Sequence, residues 1–165
     1  ATPSPNMRSL NQALLYPGMG LWETTNLSVG RGTDTPFEVL GAPWIDAQQF
    51  AAELNAAGLQ GVRFVPIEFT PQQSKFKGEK CGGVNVIVVD RAEFEPVALG
   101  LELASTLRRL YPHDWQTKPA NRLLINRRVY EAILDGKDRK QMQSLFAADL
   151  EEFLKRREKF LIYEE

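Results

Sequence analysis

The residues whose side chains could bind a ligand or do chemistry are concentrated in two polar stretches of the sequence. The first, ETTNLSVGRGTDTPFE, spans residues 23–38 and has a Glu at each end with an Asn and an Arg between them. The second, SKFKGEKCGG, spans residues 74–83 and combines three lysines with a Phe, a Glu and the chain's one cysteine. Carboxylate, amide and guanidinium groups bind sugar hydroxyls and anions, so these stretches are the candidate site.

The Gly-Arg-Gly turn at residues 30–32 brings backbone N–H groups and a guanidinium to one place. Arg31 presents a planar fork that suits a carboxylate or a phosphate. The motif is not a dinucleotide fingerprint, because Thr35 stands where the third glycine would be, and the Lys-Ser/Thr ending of a P-loop is also missing. The alternative is a tight turn in which Arg31 pairs with a local acid such as Asp34 or Glu38.

Glu23 and Glu38 are candidates for acid–base chemistry. Glycoside hydrolysis normally needs two carboxyl groups about 5 to 10 Å apart, and spacing along the chain cannot show whether these two converge. Glu23, followed by Asn26, could also bind sugar hydroxyls. The alternative for Glu23 is a surface salt bridge or a cap.

Three lysines (Lys75, Lys77 and Lys80) surround Phe76, a pattern that could bind an anionic or sugar ligand or could form a solvated loop. Cys81 has no evident base nearby, since the one histidine, His113, lies beyond a predicted helix, so we expect a small buried residue. The three tryptophans could form a sugar-stacking platform, with Trp44 the best placed, although core packing is the default for all of them.

The composition excludes several classes of protein. The chain has 165 residues, 43% of them hydrophobic and 25% charged, which predicts one folded domain. A net charge of -1 lacks the basic excess of a nucleic-acid binder. One Cys and one His nearly exclude a zinc site. A carboxylate site for a hard cation stays open, although no calcium-loop motif is present. No apolar run approaches the length of about 20 residues that spans a bilayer.

Hydrophobic periodicity, together with Gly, Pro and capping residues, predicts the helices and strands that position these stretches. We expect a short helix over residues 9–15 before a turn at YPGMG, and a strand over residues 21–29. The remaining expected elements are an extended segment over 36–45, a helix from Asp46 to Gly58, an edge strand at 62–69 and a central doubly covered strand at 84–90. They are followed by a helix from Pro96 to Pro112, a short helix at 127–136, a last helix from about 140 to 160, and a short strand in the final LIYEE.

These elements predict an α/β or α+β fold, in which a mixed β-sheet is covered by helices and the chain ends in a long amphipathic helix. In the helix from Pro96, the residues expected to be buried are Val97, Leu101, Ala104, Leu107 and Tyr111. In the last helix they are Met142, Leu145, Phe146, Leu150, Phe153, Leu154 and Leu161. We interpret residues 1–8 as a linker from a preceding domain and residues 9–165 as one domain.

Two long motifs and a C-terminal segment resemble one known family. YPGMGLWETTNLSVGRGTDTPFEVLGAPWID, FTPQQSKFKGEKCGGVNV and FLKRREKFLIY are similar to the C-terminal domain of the NamZ-type exo-β-N-acetylmuramidases, formerly a bacterial domain of unknown function. The opening TPSPNMRSL also resembles the segment that joins this domain to the preceding one. The resemblance is strongest over residues 16–46 and 69–86 and weak over residues 116–139.

The resemblance implies that this chain is part of a two-domain hydrolase. Such a hydrolase releases N-acetylmuramic acid from the non-reducing ends of peptidoglycan fragments. It implies that an N-terminal Rossmann-like domain carries the principal catalytic carboxylate, and that this chain lines one wall of the cleft between the domains. It implies no metal or organic cofactor. By matching position, the substrate-binding candidates are Glu23, Asn26, Arg31, Thr33, Glu38, Ser74 and Lys75, and the same stretch contains Cys81, which we expect to be structural.

The chain departs from the family's usual sequence at two positions. Thr24 replaces a glycine, which would alter the site if that glycine provides a positive φ or a close backbone approach. Val29 stands where an acidic residue is frequent. The sequence does not decide between an exported or periplasmic location and a cytoplasmic one. The family includes both kinds of member, and this segment carries no targeting signal.

Four functions remain open from the sequence. The first is the substrate-lining domain of a peptidoglycan exo-muramidase, silent without its other domain. The second is a stand-alone module that binds glycans or muropeptides without catalysis. The third is a phosphate- or nucleotide-binding domain, against which the incomplete glycine motif argues. The fourth is a self-sufficient glycosidase in which Glu23 and Glu38 form the catalytic pair.

Overall fold

A computed structural model of the protein describes residues 7–162. Its helices are α1 (Leu10–Met19), α2 (Ala47–Ala56), α3 (Pro96–Leu110), α4 (Asn121–Leu124), α5 (Arg127–Leu134), α6 (Arg139–Ser144) and α7 (Ala147–Glu158), with short 3₁₀ helices at Gly20–Trp22 and Lys118–Ala120. Its strands are β1 (Val39–Ala42), β2 (Val62–Phe69) and β3 (Cys81–Val88). Most of the predicted linker at residues 1–8, and the end of the predicted C-terminal strand, lie outside the described residues.

The three strands form one antiparallel sheet in the order β1-β3-β2. The α+β class is confirmed, but the prediction of a mixed sheet is wrong, because β3 pairs antiparallel with both neighbours. Their register places Gly83 of β3 between Gly41 and Ile67. The central position of β3 and the edge position of β2, which contains Pro66, are as predicted.

Only one face of the sheet is covered by helices. Leu40, Phe64, Val84 and Val86 lie on this face and belong to the buried core, together with Phe50 and Leu54 of α2. On the opposite face Val65 and Ile87 are both 41% exposed. The expected double coverage of β3 is therefore wrong. On this face the loop through Gly30 lies against Val39 of β1, and the other end is left open.

The helices flanking the sheet begin where their capping residues predict. Asp46 caps α2 by accepting a hydrogen bond from the Gln49 N–H at 2.9 Å, and α3 begins at Pro96. Leu101, Ala104, Leu107 and Tyr111 are buried as expected. Val97 is 45% exposed instead, because it lies in the first turn of α3 on the solvent side.

Helix α1 differs from its prediction in length. Ser9 caps it, but the helix continues through Pro17 to Met19, so YPGMG does not turn the chain. Gly18 explains the packing of this end: a Cβ there would lie 2.1 Å from the carbonyl oxygen of Pro96, so the backbones of α1 and α3 touch. The expected strand over 21–29 is also wrong, because it is replaced by a 3₁₀ helix and turns, with a single bridge from Ser28 to Gly41.

The expected long C-terminal helix is divided into α6 and α7 at Leu145 and Phe146. Asp138 and Gln141 form a reciprocal capping box at the start of α6, and Met142 is buried. In α7, Leu150, Phe153 and Leu154 are exposed, so the prediction that they are buried is wrong. Within residues 7–162, no helix is both long and apolar enough to cross a membrane.

Candidate functional site

The two polar stretches identified in the sequence lie against each other in the fold. The N–H of Gln72, in the segment that leads into the second stretch, donates to the carbonyl oxygen of Gly32 at 2.8 Å. Gly32 has φ +83, and a Cβ there would lie 2.5 Å from backbone atoms of Gln73. Only glycine allows this approach, because any side chain would meet backbone that cannot move aside.

A cleft of about 680 Å³ opens where these loops meet. Its lining is mainly polar and carries two guanidinium groups, with hydroxyl, amide and carboxylate groups and one aromatic ring. The lining residues are Arg8, Arg31, Gly32, Thr33, Asp34, Pro36, Phe69, Thr70, Gln72, Gln73 and Ser74. Two cations beside one carboxylate favour a ligand that is polar and carries negative charge.

Arg31 lies on the wall of the cleft and is oriented by two contacts. Its Nε donates to Oε1 of Glu23, and its guanidinium carbon lies 5.0 Å from the centre of the Phe37 ring. The alternative in which Arg31 pairs with Asp34 or Glu38 is wrong, because the acid that pairs with Arg31 is Glu23. Within the described residues, the terminal amino groups of Arg31 make no hydrogen bond, so this part of the fork can meet a ligand.

Lys75 joins the second loop to the first. Its ammonium group donates to the backbone oxygen of Glu23 at 2.7 Å. Burial lowers the pKa of Lys75, and the nearby charge of Glu23 partly offsets this effect. Its neighbours Ser74 and Phe76 have φ +67 and +56, a conformation that is strained for residues other than glycine. The strained turn holds Ser74 in the cleft wall and Lys75 against Glu23.

The two candidate carboxylates bind different groups. Glu38 accepts hydrogen bonds from Ser9 Oγ at 3.3 Å and from Gln12 Nε2 at 3.0 Å, so it connects the loop to the beginning of α1. Glu23 is engaged by Arg31. Among the residues that the structure describes, the two acids have no hydrogen-bond donor in common.

Asn26 and Thr33 hold the loop in shape. The amide of Asn26 donates to the carbonyl oxygen of Asp114 at 2.8 Å and accepts from the Gln116 N–H at 2.7 Å. The Thr33 hydroxyl donates to Gly30 O at 2.7 Å, although it also lines the cleft. Asn26 therefore uses both ends of its amide inside the domain, and only Thr33 reaches the cleft.

The two departures from the usual sequence have local explanations. The Thr24 hydroxyl donates to the carbonyl oxygen of Pro119 at 2.8 Å, so this side chain fixes the loop to the segment before α4. Thr24 is not among the residues with positive φ, and no strain arises from the missing glycine. Val29 is buried in the core, a place that suits an apolar residue better than an acid.

Cys81 and the tryptophans have structural roles. Cys81 is fully buried, and burial together with Glu79 raises the pKa of its thiol to about 11, so it is a poor nucleophile. Trp22 and Trp115 pack edge to face in the core, with ring centres 5.5 Å apart, and Trp44 packs likewise on Tyr111. Core packing, the default expectation, is confirmed.

Sequence reasoning missed several residues of the cleft. Arg8, Phe69 and Gln73 line it, and although they fall within segments that resemble the family, none of them was identified as a binding candidate. Arg8 lies in the segment interpreted as a linker, and only the fold brings it near Arg31. Across residues 7–162, no group of three or more His, Cys, Asp or Glu side chains is placed to hold a metal ion.

Solved structures show where this fold occurs. Two crystal structures of DUF1343 family proteins from Bacteroides fragilis NCTC 9343 match with a TM-score of 0.72 each, at 24% and 25% identity. The matches cover 98% and 99% of this chain and 44% of either protein. The neighbour at 24% identity supports the fold alone.

Sequence comparison adds a family. The chain is 40% identical over 164 residues to the peptidoglycan β-N-acetylmuramidase NamZ of Bacillus subtilis (strain 168). The match covers 98% of this chain but only 40% of that relative, so the chain spans about two fifths of its length. Residues 14–163 match the family model for the C-terminal part of exo-β-N-acetylmuramidase NamZ. The resemblance seen in the motifs is thereby confirmed, and the chain belongs to the family of NamZ C-terminal domains.

Proposed function

We propose that this chain is the substrate-lining domain of a peptidoglycan exo-β-N-acetylmuramidase, and that its cleft binds the terminal N-acetylmuramic acid. The observation that carries the proposal is the Arg31 guanidinium, held by Glu23 at the cleft wall with its terminal amino groups unbonded among the described residues. Muramic acid carries a lactyl carboxylate, which a planar guanidinium binds through two parallel hydrogen bonds.

The remaining cleft lining supports a sugar rather than a simple anion. Phe69 offers an apolar ring surface, and Thr33, Gln73 and Ser74 offer polar groups suited to sugar hydroxyl and acetamido groups. Arg8 adds a second cation to the lining of the cleft. A nucleotide-binding function has less support, since the glycine motif is incomplete and the cleft also contains Asp34.

The catalytic carboxylate is proposed to lie in another domain. Glu23 and Glu38 are both engaged by donors within this chain, an arrangement that suits positioning better than proton transfer. The B. subtilis relative is much longer than this chain, which leaves room for a second domain that supplies the reacting carboxylate. This chain would then form one wall of an interdomain site.

The decisive experiment measures release of N-acetylmuramic acid from a MurNAc–GlcNAc disaccharide. We would assay this chain alone and a form extended upstream to the natural start of its gene. Activity in the longer form alone is expected. Activity in the short chain would overturn the placement of the catalytic carboxylate. Silence of both forms, with muropeptide affinity retained by the short chain, would favour the stand-alone binding module.

Conservative substitutions in the longer form test the roles of the two acids. Glu23→Gln keeps an oxygen that can accept from Arg31 but removes the charge that orients it, so we expect a several-fold rise in KM with kcat nearly unchanged. Glu38→Gln keeps the acceptor for Ser9 and Gln12 and should change neither constant by more than about twofold. A loss of kcat beyond about 100-fold in either variant would instead identify a general acid, base or nucleophile.

A further inference from the structure

The beginning of α1 contains a buried hydrogen-bond network centred on Gln12. This side chain is only 3% exposed, although glutamine is usually a surface residue. Its amide oxygen accepts from the Arg8 N–H at 2.6 Å, and its amide nitrogen donates to Oε1 of Glu38 at 3.0 Å. Gln12 therefore connects the segment that precedes α1 to the end of the loop that carries Arg31.

The network differs from an ordinary capping box by one residue. Ser9 caps α1, since its Oγ accepts from the Gln12 N–H at 3.2 Å. In a capping box the side chain of the third helical residue, here Gln12, accepts from the N–H of the capping residue itself. The Gln12 amide oxygen instead binds the N–H of Arg8, one residue earlier. Because a buried amide without partners is costly, these bonds fix the position of the Arg8 backbone.

The side chain of Arg8 is the unpaired cation of the cleft lining. Its backbone N–H is bonded to Gln12, but across residues 7–162 its guanidinium makes no hydrogen bond and no ion pair, not even with Asp34 of the same cleft. Arg31, by contrast, is paired with Glu23. A guanidinium on a fixed backbone suits an anionic ligand, because the fold already meets part of the cost of ordering.

We propose that Arg8 is a ligand-binding residue of the cleft and that Gln12 is the residue that positions it. In this proposal the guanidinium of Arg8 binds an anionic oxygen group of the same ligand that Arg31 contacts. A peptidoglycan fragment offers two such groups: the lactyl carboxylate of its terminal N-acetylmuramic acid, and a carboxylate of a peptide carried further along the glycan. The inference rests on the proposed function, from which the class of ligand is taken.

The first test is steady-state kinetics of the form extended upstream to the natural start of its gene. Two substrates are compared, the MurNAc–GlcNAc disaccharide and a tetrasaccharide in which only the second N-acetylmuramic acid carries a peptide. We expect Arg8→Gln to raise KM about tenfold or more, because a charged hydrogen bond is lost, with kcat nearly unchanged. The thermal midpoint should not change, since the side chain is exposed and unpaired within the described residues.

The two substrates distinguish the two anionic groups. If Arg8 binds the lactyl carboxylate, KM rises by the same factor for both substrates. If Arg8 binds the peptide carboxylate, KM rises for the tetrasaccharide alone. Arg156→Gln, at an exposed arginine of α7, is the matched control and should leave both KM values unchanged. The uncharged GlcNAc–GlcNAc disaccharide, used as an inhibitor, should bind the native form and Arg8→Gln equally.

The variant Gln12→Met tests the positioning role. Methionine has a similar volume but cannot bind the Arg8 N–H or Glu38, so we expect a several-fold rise in KM and a lower thermal midpoint. In a chain that already contains Arg8→Gln, the same substitution should still lower the midpoint but should raise KM no further. This loss of additivity in KM separates positioning of Arg8 from a general loss of stability.

Several results would overturn the inference. An unchanged KM for both substrates in Arg8→Gln, or an equal loss of affinity for the uncharged disaccharide, would exclude an anion contact by Arg8. A rise in KM from Gln12→Met that persists undiminished beside Arg8→Gln would exclude the positioning role.

Failure of the proposed function is recognised separately. If the native extended form releases no N-acetylmuramic acid, titration of that form with the peptide-bearing tetrasaccharide decides the inference about Arg8. Binding that weakens about tenfold in Arg8→Gln would support the anion contact without the hydrolase activity. Equal binding by the two forms, or no binding by the native form, would overturn it.

Discussion

Arg31 and Glu23 form an ion pair at the edge of the cleft, with the guanidinium Nε donating to a carboxylate oxygen. The two side chains are 32% and 27% exposed, so water screens the pair and its contribution to folding stability is small, about 0–1 kcal/mol. Its effect is orientation. The carboxylate occupies one edge of the guanidinium and leaves the terminal amino groups available, and the Phe37 ring restricts the guanidinium plane.

This arrangement predicts that Arg31→Lys impairs substrate binding although the charge is kept. A lysine has no planar fork and cannot bind Glu23 and a ligand carboxylate along separate edges. Hydrogen bonds between charged groups contribute about 1.5 to 3 kcal/mol, so we expect KM for a MurNAc-terminated fragment to rise about 10- to 100-fold. The measurement is steady-state kinetics of the form extended upstream.

Two comparisons make this prediction specific. Arg127→Lys, at an arginine that is 89% exposed on α5, should leave KM unchanged. A fragment that ends in N-acetylglucosamine lacks the lactyl carboxylate, so Arg31→Lys should not weaken its binding further. Equal losses for both ligands would mean that Arg31 supports the loop and does not contact the carboxylate.

Contact between the two loops can be tested with a matched pair of glycine variants. Gly32 and Gly78 have similar φ values of +83 and +77, so alanine imposes similar backbone strain of about 1 kcal/mol at each. A Cβ at Gly32 would lie 2.5 Å from the backbone of Gln73, whereas nothing lies within 4 Å of one at Gly78. Gly32→Ala should therefore separate the loops and impair ligand binding, whereas Gly78→Ala should only lower stability.

Isothermal titration with a muropeptide, together with thermal unfolding, distinguishes these effects. We expect a loss of affinity of tenfold or more for Gly32→Ala and less than twofold for Gly78→Ala, with both midpoints lowered. Equal affinity in the two variants would show that contact between the loops does not shape the cleft.

Local sequence signals predicted the framework of the fold well. Asp46 and Pro96 mark the starts of α2 and α3 because capping and proline geometry depend only on neighbouring backbone groups. The end of α1 was not predictable in this way. Pro17 normally disfavours a helix interior, but the contact of Gly18 with Pro96 of α3 holds the helix together, and that contact is remote in sequence.

The candidate site was predictable only in part for the same reason. Arg31 was identified by its side-chain chemistry, but its partner Glu23 was not, since the turns between them determine which acid it meets. Arg8 gave no signal, because its place in the cleft depends on the packing of α1 against the loop through Glu38. The exposure of α7 was also missed, because a helical apolar pattern does not tell whether the covering surface belongs to the same chain.

Trp22 and Trp115 allow a buried indole N–H with a hydrogen-bond partner to be compared with one that has none. Both are buried and in contact, and Trp22 Nε1 donates to the carbonyl oxygen of Gly100 at 2.9 Å, whereas Trp115 Nε1 is buried with no partner among the described residues. Trp22→Phe loses this bond and leaves the Gly100 oxygen without it. We expect it to lower the free energy of unfolding by about 1 to 2 kcal/mol more than Trp115→Phe.

Urea unfolding followed by circular dichroism measures both changes. The slope of the transition should stay constant, since neither variant alters the surface that unfolding exposes. Equal destabilisation of the two variants would show that the bond from Trp22 to α3 contributes little beyond packing.

Cys81 provides a prediction about pH. The pKa of its thiol is raised to about 11 in the folded protein from an ordinary value of 9.0, so the folded state favours the neutral form. Below pH 9 both states keep the proton and the contribution to stability is complete. Between pH 9 and 11 the unfolded chain loses its proton first, and the free energy of unfolding should fall.

The variant Cys81→Ala separates this effect from other titrating groups, because it removes the thiol and leaves the tyrosines. We expect its free energy of unfolding to decline less than that of the native sequence between pH 8.5 and 10.5, after an initial cost of about 1 kcal/mol for the lost packing. At pH 8 a pKa near 11 leaves roughly one thiol in a thousand ionised, so a thiol reagent should label the chain only after urea unfolding. Rapid labelling of the folded protein, or parallel pH profiles, would contradict the burial of Cys81 at the start of β3.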